Sequence, residues 1–83
     1  MTNIPTPFDT IKQPVKIYAE ESSPSIYVVD NGEHRILEFD KNGVFTHQFV
    51  LPLDFRNIAS AAFQIKSKRA FLVNKDKLYQ VDL

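Results

Sequence analysis

Few side chains in this 83-residue sequence could do chemistry. The two histidines, His34 and His47, lack the close spacing expected of a zinc site. Asp30 and Asp40 could serve as a pair of catalytic carboxylates, but each stands beside turn-forming residues and is expected to cap its turn. No nucleophile elbow, phosphate-binding loop or zinc-protease motif occurs. We therefore expect a protein that is not an enzyme and that uses no metal and no cofactor.

A group of basic residues near the end of the sequence suggests a second kind of chemistry, the binding of single-stranded RNA. Phe55 and Arg56 could add a stacking surface. The group comprises Lys66, Lys68, Arg69, Lys75 and Lys77. Its members fall in turns at opposite ends of one predicted strand, which favours a solvated surface instead. The formal net charge of zero also argues against a protein held by phosphate contacts, so nucleic acid is an unlikely partner.

The composition is that of an ordinary folded domain, with 43% hydrophobic and 24% charged residues. Cysteine is absent, so no disulfide can stabilise so short a chain. No apolar run approaches the length of about 18 residues needed to span a membrane. Met1–Thr10 does not have the pattern of a signal peptide. A cytoplasmic protein is the default expectation, although a fragment of a larger or exported protein would look similar.

The stretch Ser25–Phe49 shows what elements would position these residues. Its predicted strands are Ile26–Asp30, Arg35–Asp40 and Val44–Phe49. Turns at Asn31–His34 and Lys41–Gly43 separate them, and we expect Gly32 and Gly43 to supply the positive φ that tight hairpins need. Three short strands in succession indicate an antiparallel, all-β protein.

A second copy of this pattern follows. Arg69–Asn74 overlays Ser25–Asp30 at an offset of 44 residues, and Lys77–Asp82 overlays Arg35–Asp40 at an offset of 42. Extending the first offset upstream places Ile58–Phe63 on Pro14–Ala19, so that Ile58–Ile65 is predicted to be a strand despite its alanines. A repeat of roughly 40–45 residues built from about four short strands is typical of a β-propeller blade.

Two apolar runs agree with stacked blades. Ile26–Val29 and Phe71–Val73 are continuous rather than alternating, so we expect each strand to be covered on both faces. The stretch Val44–Phe49 alternates and carries polar residues, which predicts a strand nearer the rim.

One motif gives the pattern a family likeness. The run Asp30-x-Gly32-x-His34-Arg35-Ile36-x-x-Phe39-Asp40-x-x-Gly43 resembles the NHL repeat, a blade unit of β-propellers. The match covers Ile17–Phe49. In the second copy glycine is missing and the middle turn is two residues shorter. The resemblance implies a propeller, usually of six blades, and places these residues in its structural motif.

The predicted organisation has three parts: residues 1–13 form an outer strand, centred on Thr2–Pro7, and a loop; residues 14–50 form the first blade; and residues 51–83 form a second, degenerate blade without its own outer strand. Two blades cannot close a ring, so we expect a cyclic homo-oligomer in which the outer strand is exchanged between copies. Three copies would give six blades and four copies eight. The alternative is the C-terminal part of a larger bacterial propeller.

Charge supports such a ring. Residues 1–49 carry four basic and seven acidic side chains, a net charge of −3, and residues 50–83 carry six and three, a net charge of +3. Every junction of a head-to-tail ring would therefore join a negative blade to a positive one, which favours correct register and orientation.

The function expected is that of a binding or scaffolding module. In propellers the ligand face gathers the loops that lead into the inner strands, here Phe8–Lys12, Asn31–His34, Asp54–Asn57 and Lys75–Asp76. The contact residues predicted on this face are Asn31, His34, Phe55 and Arg56. A protein or peptide is the expected ligand. RNA binding, or a structural role as the closing blades of a larger protein, are the alternatives.

Overall fold

A computed structural model describes residues 11–83 as two antiparallel β-sheets. The first sheet has the order β1-β2-β3-β4, with strands Pro14–Tyr18, Ser25–Asp30, Arg35–Asp40 and Phe45–Val50. The second has the order β5-β6-β7, with strands Ile58–Gln64, Arg69–Asn74 and Lys77–Asp82. The all-β prediction is confirmed, as is a strand rather than a helix in the alanine-rich run that begins at Ile58. The predicted closing strand Thr2–Pro7 lies outside the described residues.

The β2–β3 turn corrects one prediction about glycine. A short 3-10 helix, Asn31–Glu33, forms this turn, and the left-handed residue is His34, with φ of 42°. Gly32 does not have a positive φ; it is needed for another reason. A Cβ at Gly32 would lie 2.5 Å from the Cβ of Lys12, so a side chain there would push away the segment that leads into β1.

The β3–β4 turn follows the prediction. Gly43 has φ of +85°, a conformation that costs glycine little. Asp40 Oδ1 accepts hydrogen bonds from the backbone N–H groups of Asn42 and Val44, at 2.8 and 3.0 Å. This carboxylate therefore holds its turn, as the sequence indicated.

The two sheets repeat each other in register. Pro14 pairs with Asp30, a bulge follows, and Ile17 pairs with Val28. In the second sheet Ile58 pairs with Asn74, a bulge follows, and Ala61 pairs with Leu72, so that every partner is shifted by 44 residues. The next pair of strands keeps the mixed offset: Ser25 pairs with Asp40 in the first sheet, and Arg69 with Asp82 in the second. The internal repeat proposed from the sequence is thus present in the pairing of the strands.

Each sheet has a front face and a back face, which can be defined by equivalent residues. The front face carries Tyr27, Val29 and Ile36 in the first sheet, and Phe71, Val73 and Leu78 in the second. The back face carries Ile17, Val28 and Leu37 in the first sheet, and Ala61, Leu72 and Tyr79 in the second. Because strand residues alternate between faces, these two sets lie on opposite sides of each sheet.

The main core lies between unlike faces. The front face of the first sheet packs on the back face of the second, and the buried side chains between them include Tyr27, Val29, Ile36, Ala61 and Leu72. The rings of Tyr27 and Phe63 stack across this core with centroids 5.2 Å apart. A smaller cluster, formed by Val28, Leu37 and Phe39 with Ile11 and Ile26 against it, lies on the back of the first sheet.

The two continuous apolar runs differ in burial. In the run Ile26–Val29, the last three residues are buried and Ile26 is half-buried, which agrees with a strand covered on both faces. In β6 only Leu72 of the run Phe71–Val73 is buried, whereas Phe71 and Val73 are half-buried. The expectation of two covered faces is therefore wrong for β6 in the single chain, because its front face points away from the first sheet.

Candidate functional site

The loops that the sequence assigned to one ligand face do meet at one end of the two sheets, here called the loop end. Asn31 ties them together: its Nδ2 donates to the Gln13 side chain at 3.2 Å and to the Arg56 carbonyl at 3.0 Å. Its Oδ1 accepts from the Ile58 N–H at 3.0 Å. The Lys75 N–H donates to the Asn57 carbonyl at 3.0 Å. Residues Phe8–Thr10 of the predicted face lie outside the described residues.

Asp30 is the most heavily bonded side chain at the loop end. Its carboxylate is fully buried and accepts hydrogen bonds from the N–H groups of Lys12, Gln13 and Gly32. It also forms an ion pair with Arg35 Nε at 3.1 Å. Burial alone would raise the pKa of Asp30, but the bonds from Gln13 and Lys12 and the ion pair with Arg35 outweigh it, so the pKa is lowered. The group is a structural carboxylate that fixes the segment leading into β1.

Asn74 does the same work in the second sheet without charge. It is buried, its Oδ1 accepts from the Asn57 N–H at 3.0 Å, and its Nδ2 donates to the Asp54 carbonyl at 3.3 Å. Asn57 is the equivalent of Gln13 at the offset of 44, so the same backbone bond is made in both sheets. Asp30 in the first sheet and Asn74 in the second therefore each hold the loop that leads into the first strand of their sheet.

Of the four predicted contact residues, Arg56 is the most accessible. Its side chain is exposed, and its Nε donates to the Leu53 carbonyl at 3.0 Å. His34 is half-buried, with Nδ1 3.1 Å from the Leu51 carbonyl oxygen. Asn31 uses its amide oxygen and nitrogen between the sheets, as described above. His34 and Asn31 thus hold the loop end together, and of the four predicted contact residues Arg56 is the one that a ligand could reach most easily.

Phe55 does not lie where a ligand contact requires. It is only 4% exposed and belongs to the main core, with its ring centroid 4.6 Å from that of Tyr79. The loop containing Phe55 folds under the second sheet, because the turn that begins at Pro52 directs the ring inward. The Phe55 N–H donates to the Pro52 carbonyl at 2.9 Å in this turn. The aromatic stacking surface expected of an RNA-binding face is therefore not formed by Phe55.

The basic residues do not form one patch. Lys66, Lys68 and Arg69 precede or begin β6, whereas Lys75 and Lys77 follow it at the opposite end. This agrees with the separation expected from the sequence. Arg69 donates to the Gln64 side chain at 3.1 Å, and its guanidinium lies 5.8 Å from the centroid of Phe71.

Two exposed apolar surfaces were not identified from the sequence: the front face of the second sheet, and the β1 side of the back face of the first sheet, whose centre at Val28, Leu37 and Phe39 is buried. Leu78, on the front of the second sheet, is 69% exposed, whereas its equivalent Ile36 is fully buried. Ile17, on the back of the first sheet, is 64% exposed, whereas its equivalent Ala61 is 7% exposed. The overlay of the two copies, combined with strand alternation, would have identified both positions.

An apolar cleft lies along β1 on the back of the first sheet. Its lining residues are Ile11, Pro14, Val15, Lys16, Ile17 and Val28. Their equivalents in the second sheet include Phe55, Ile58, Ala61 and Leu72, which are all buried in the main core. The β1 position that is exposed in the first copy, Ile17, is thus covered in the second, at Ala61, whereas Val28 is buried like its equivalent Leu72.

Comparison with known proteins adds no relative to this picture: no family model, curated protein or solved structure matches the chain. The resemblance to the NHL repeat therefore stays a prediction. In residues 11–83 no group of three or more acidic or metal-ligating side chains is placed to hold a metal ion. The same residues contain no helix of the length and hydrophobicity needed to traverse a lipid bilayer.

Proposed function

We propose that this chain is a non-catalytic scaffolding module whose copies join head to tail into a closed, propeller-like ring that presents its loop end to a protein or peptide. One observation carries the proposal. Two sheets with the same strand registers pack front to back, and an unlike pair of surfaces stays exposed: the front of the second sheet at Leu78, and the back of the first sheet along β1 at Ile17.

Front-to-back packing favours a ring over a simple dimer. A two-fold dimer buries the same patch on both partners, whereas contact between unlike patches propagates from copy to copy and forms a ring when the rotation between copies closes. Three copies contribute six sheets, the number that the NHL-like motif implies. Four copies, with eight sheets, are the second arrangement.

Charge gives the junctions a direction. Residues 1–49 carry a net charge of −3 and residues 50–83 carry +3, so a junction between copies brings the acidic half of one to the basic half of the next. Like halves repel each other, which disfavours front-to-front and back-to-back association.

The ligand face of this module is the loop end. Exposed side chains of both signs lie there, among them Glu33, Asp54, Arg56, Lys75 and Asp76. A surface with mixed charge suits a protein or peptide better than a polyanion such as RNA, whose binding depends on neutralised phosphates. The burial of Phe55 argues in the same direction.

The test is the absolute mass in solution, measured by light scattering. A single chain has a mass of 9.6 kDa, so the proposed ring has three times that mass. Four times the chain mass would replace the six-sheet ring by an eight-sheet one. A folded monomer, at concentrations well above micromolar, would overturn the assembly.

A further inference from the structure

We infer that the apolar cleft on the back of the first sheet is the binding site for the front face of the second sheet of another copy. The inference rests on the proposed assembly and assigns its interface to named residues. The occupant is a second copy of this chain, because the chain already makes the same kind of contact internally, in the main core between its own two sheets.

Equivalent residues describe what the new contact would bury. In the main core Tyr27, Val29 and Ile36 cover the back face of the second sheet. Their equivalents Phe71 and Val73 are half-exposed and Leu78 is 69% exposed, so an apolar patch of the same position and order is available on the second sheet. Three neighbouring apolar side chains on one exposed face mark an interaction surface more strongly than a single one does.

The acceptor side shows the same relation. Phe55, Ala61 and Leu72 form the back face that is covered within the chain. At the equivalent positions, Ile11 and Ile17 keep apolar character while Ile17 remains 64% exposed. The first sheet thus offers an apolar strip along β1, at Ile17, beside Val28, which is the equivalent of Leu72 and is only 7% exposed.

A polar contact at the loop end changes in a complementary way. Asn31 donates to the Arg56 carbonyl and accepts from the Ile58 N–H across the main core. Lys75 is the equivalent of Asn31, and Pro14 is the equivalent of Ile58. In the contact between copies, Lys75 would replace Asn31 as the acceptor and Pro14 would replace Ile58 as the donor. Lysine has no acceptor atom in its side chain and proline has no N–H, so this bond is lost on both sides and leaves no group unpaired.

The remaining half of the contact is retained. The Lys75 N–H donates to the Asn57 carbonyl, just as the equivalent Asn31 N–H donates to the Gln13 carbonyl. The two residues therefore occupy the same backbone position in their sheets. From there the Lys75 ammonium can donate to the Lys12 carbonyl of the next copy, as Asn31 does to the equivalent Arg56 carbonyl. The loss of the acceptor at Lys75 and of the donor at Pro14 supports a specific interface between copies and not only non-specific hydrophobic association.

Two charged substitutions on the two open faces test the assignment. Leu78→Asp should prevent binding through the front face of the second sheet, because it places a charge in the apolar contact. Ile17→Asp should do the same for the back face of the first sheet. Both side chains are largely exposed in the chain, so neither change should disturb the fold, which circular dichroism and thermal unfolding can verify. Leu53→Asp is the matched control, because Leu53 is a leucine of nearly the same exposure, 70%, outside both faces.

The decisive measurement is the mass of each variant alone and of an equimolar mixture. Each face variant alone should be a monomer, whereas Leu53→Asp should retain the mass of the wild type. A mixture should give a one-to-one dimer, since the intact back face of Leu78→Asp can receive the intact front face of Ile17→Asp. The mass should then stop at two chains, because every further junction would need a spoiled face.

The outcomes separate the inference from the proposed function. If the wild type assembles and Leu78→Asp assembles equally well, the ring stands and this interface is wrong. If either variant alone forms a dimer, the contact joins like faces and the front-to-back assignment is overturned. If the wild type is a monomer, the assembly itself is overturned and the interface with it.

Discussion

The two sheets of this chain share their strand registers but expose apolar side chains on opposite faces. In the first sheet the front is buried and the back carries the exposed Ile17; in the second the back is buried and the front carries the exposed Leu78. Sheet geometry alone cannot explain this difference, since the registers agree. It arises because two copies of a repeat that pack front to back always leave one face of each kind that the other sheet does not cover.

A second difference lies at the loop end. The first sheet holds its leading segment with the charged Asp30 and the ion pair to Arg35, and the second uses the neutral Asn74. The charged version includes the longer turn with Gly32, whose backbone N–H adds another donor to the carboxylate. Where the turn is shorter, an amide that both donates and accepts does the same structural work. A conserved geometry is thus compatible with two different chemistries.

The largest expected change in the free energy of unfolding concerns the covered back face of the second sheet. Phe55→Ala should lower the free energy of unfolding by about 3–5 kcal/mol, because it opens a cavity in the main core. Leu53→Ala, two residues earlier and exposed, should change it by no more than about 0.5 kcal/mol. Urea denaturation of both variants measures the difference. Equal, small effects would show that the back face of the second sheet is not covered as described.

The next effect tests the charge difference at the loop end. Asp30→Asn should cost about 3 kcal/mol, because three backbone donors and Arg35 then face an amide instead of a buried carboxylate. Because the pKa of Asp30 is lowered by folding, its contribution is complete above the unfolded value of about 4 and is lost as the pH falls through the folded pKa.

The measurement is the free energy of unfolding as a function of pH. The wild type should lose stability below about pH 4, and Asp30→Asn should lose less over the same range. Asn74→Asp is the reciprocal variant: it places a carboxylate against the Asp54 carbonyl, so it should be least harmful at acidic pH, where it is protonated. If Asp30→Asn has the same acid sensitivity as the wild type, Asp30 is not the source of it.

The sequence predicted the local structure well because its signals are local. Strand alternation, turn residues and the offsets of 44 and 42 residues were sufficient to place the strands and to recognise Ile58–Gln64 as one of them. The position of Phe55 could not be predicted in this way. It lies in a loop, and whether its ring points outward or into a core depends on which sheet face packs over it.

The same reason explains why the structural roles of Gly32 and Asn31 were not predicted. Glycine in a turn usually indicates a positive φ, but Gly32 is required by the close approach of Lys12, which lies twenty residues earlier in the sequence. The ligand contact expected of Asn31 stays a prediction, but the sequence did not indicate that its amide bonds the segment leading into the second sheet. Contacts between distant segments determine both roles, and no short window of sequence contains them.

The smallest expected effect concerns Glu38, which lies half-buried on the front face of the first sheet. Glu38 accepts hydrogen bonds from Ser25 Oγ at 2.6 Å and from the Tyr27 hydroxyl at 3.3 Å, and lies 3.1 Å from His47 Nδ1. Its equivalent in the second sheet is the neutral Gln80. Glu38→Gln therefore makes the two sheets alike at this position, and should cost about 1 kcal/mol through weaker hydrogen bonds.

Tyr27 reports directly on this change. Burial raises the pKa of its hydroxyl, and the neighbouring charge of Glu38 raises it further. In Glu38→Gln the pKa should fall part of the way towards the ordinary value and remain raised, because burial between the sheets is unchanged. An ultraviolet absorbance titration, with Tyr27→Phe to assign the signal, measures the shift. A pKa that does not move would mean that burial alone controls Tyr27, and that the carboxylate in the first sheet is electrostatically equivalent to the amide in the second.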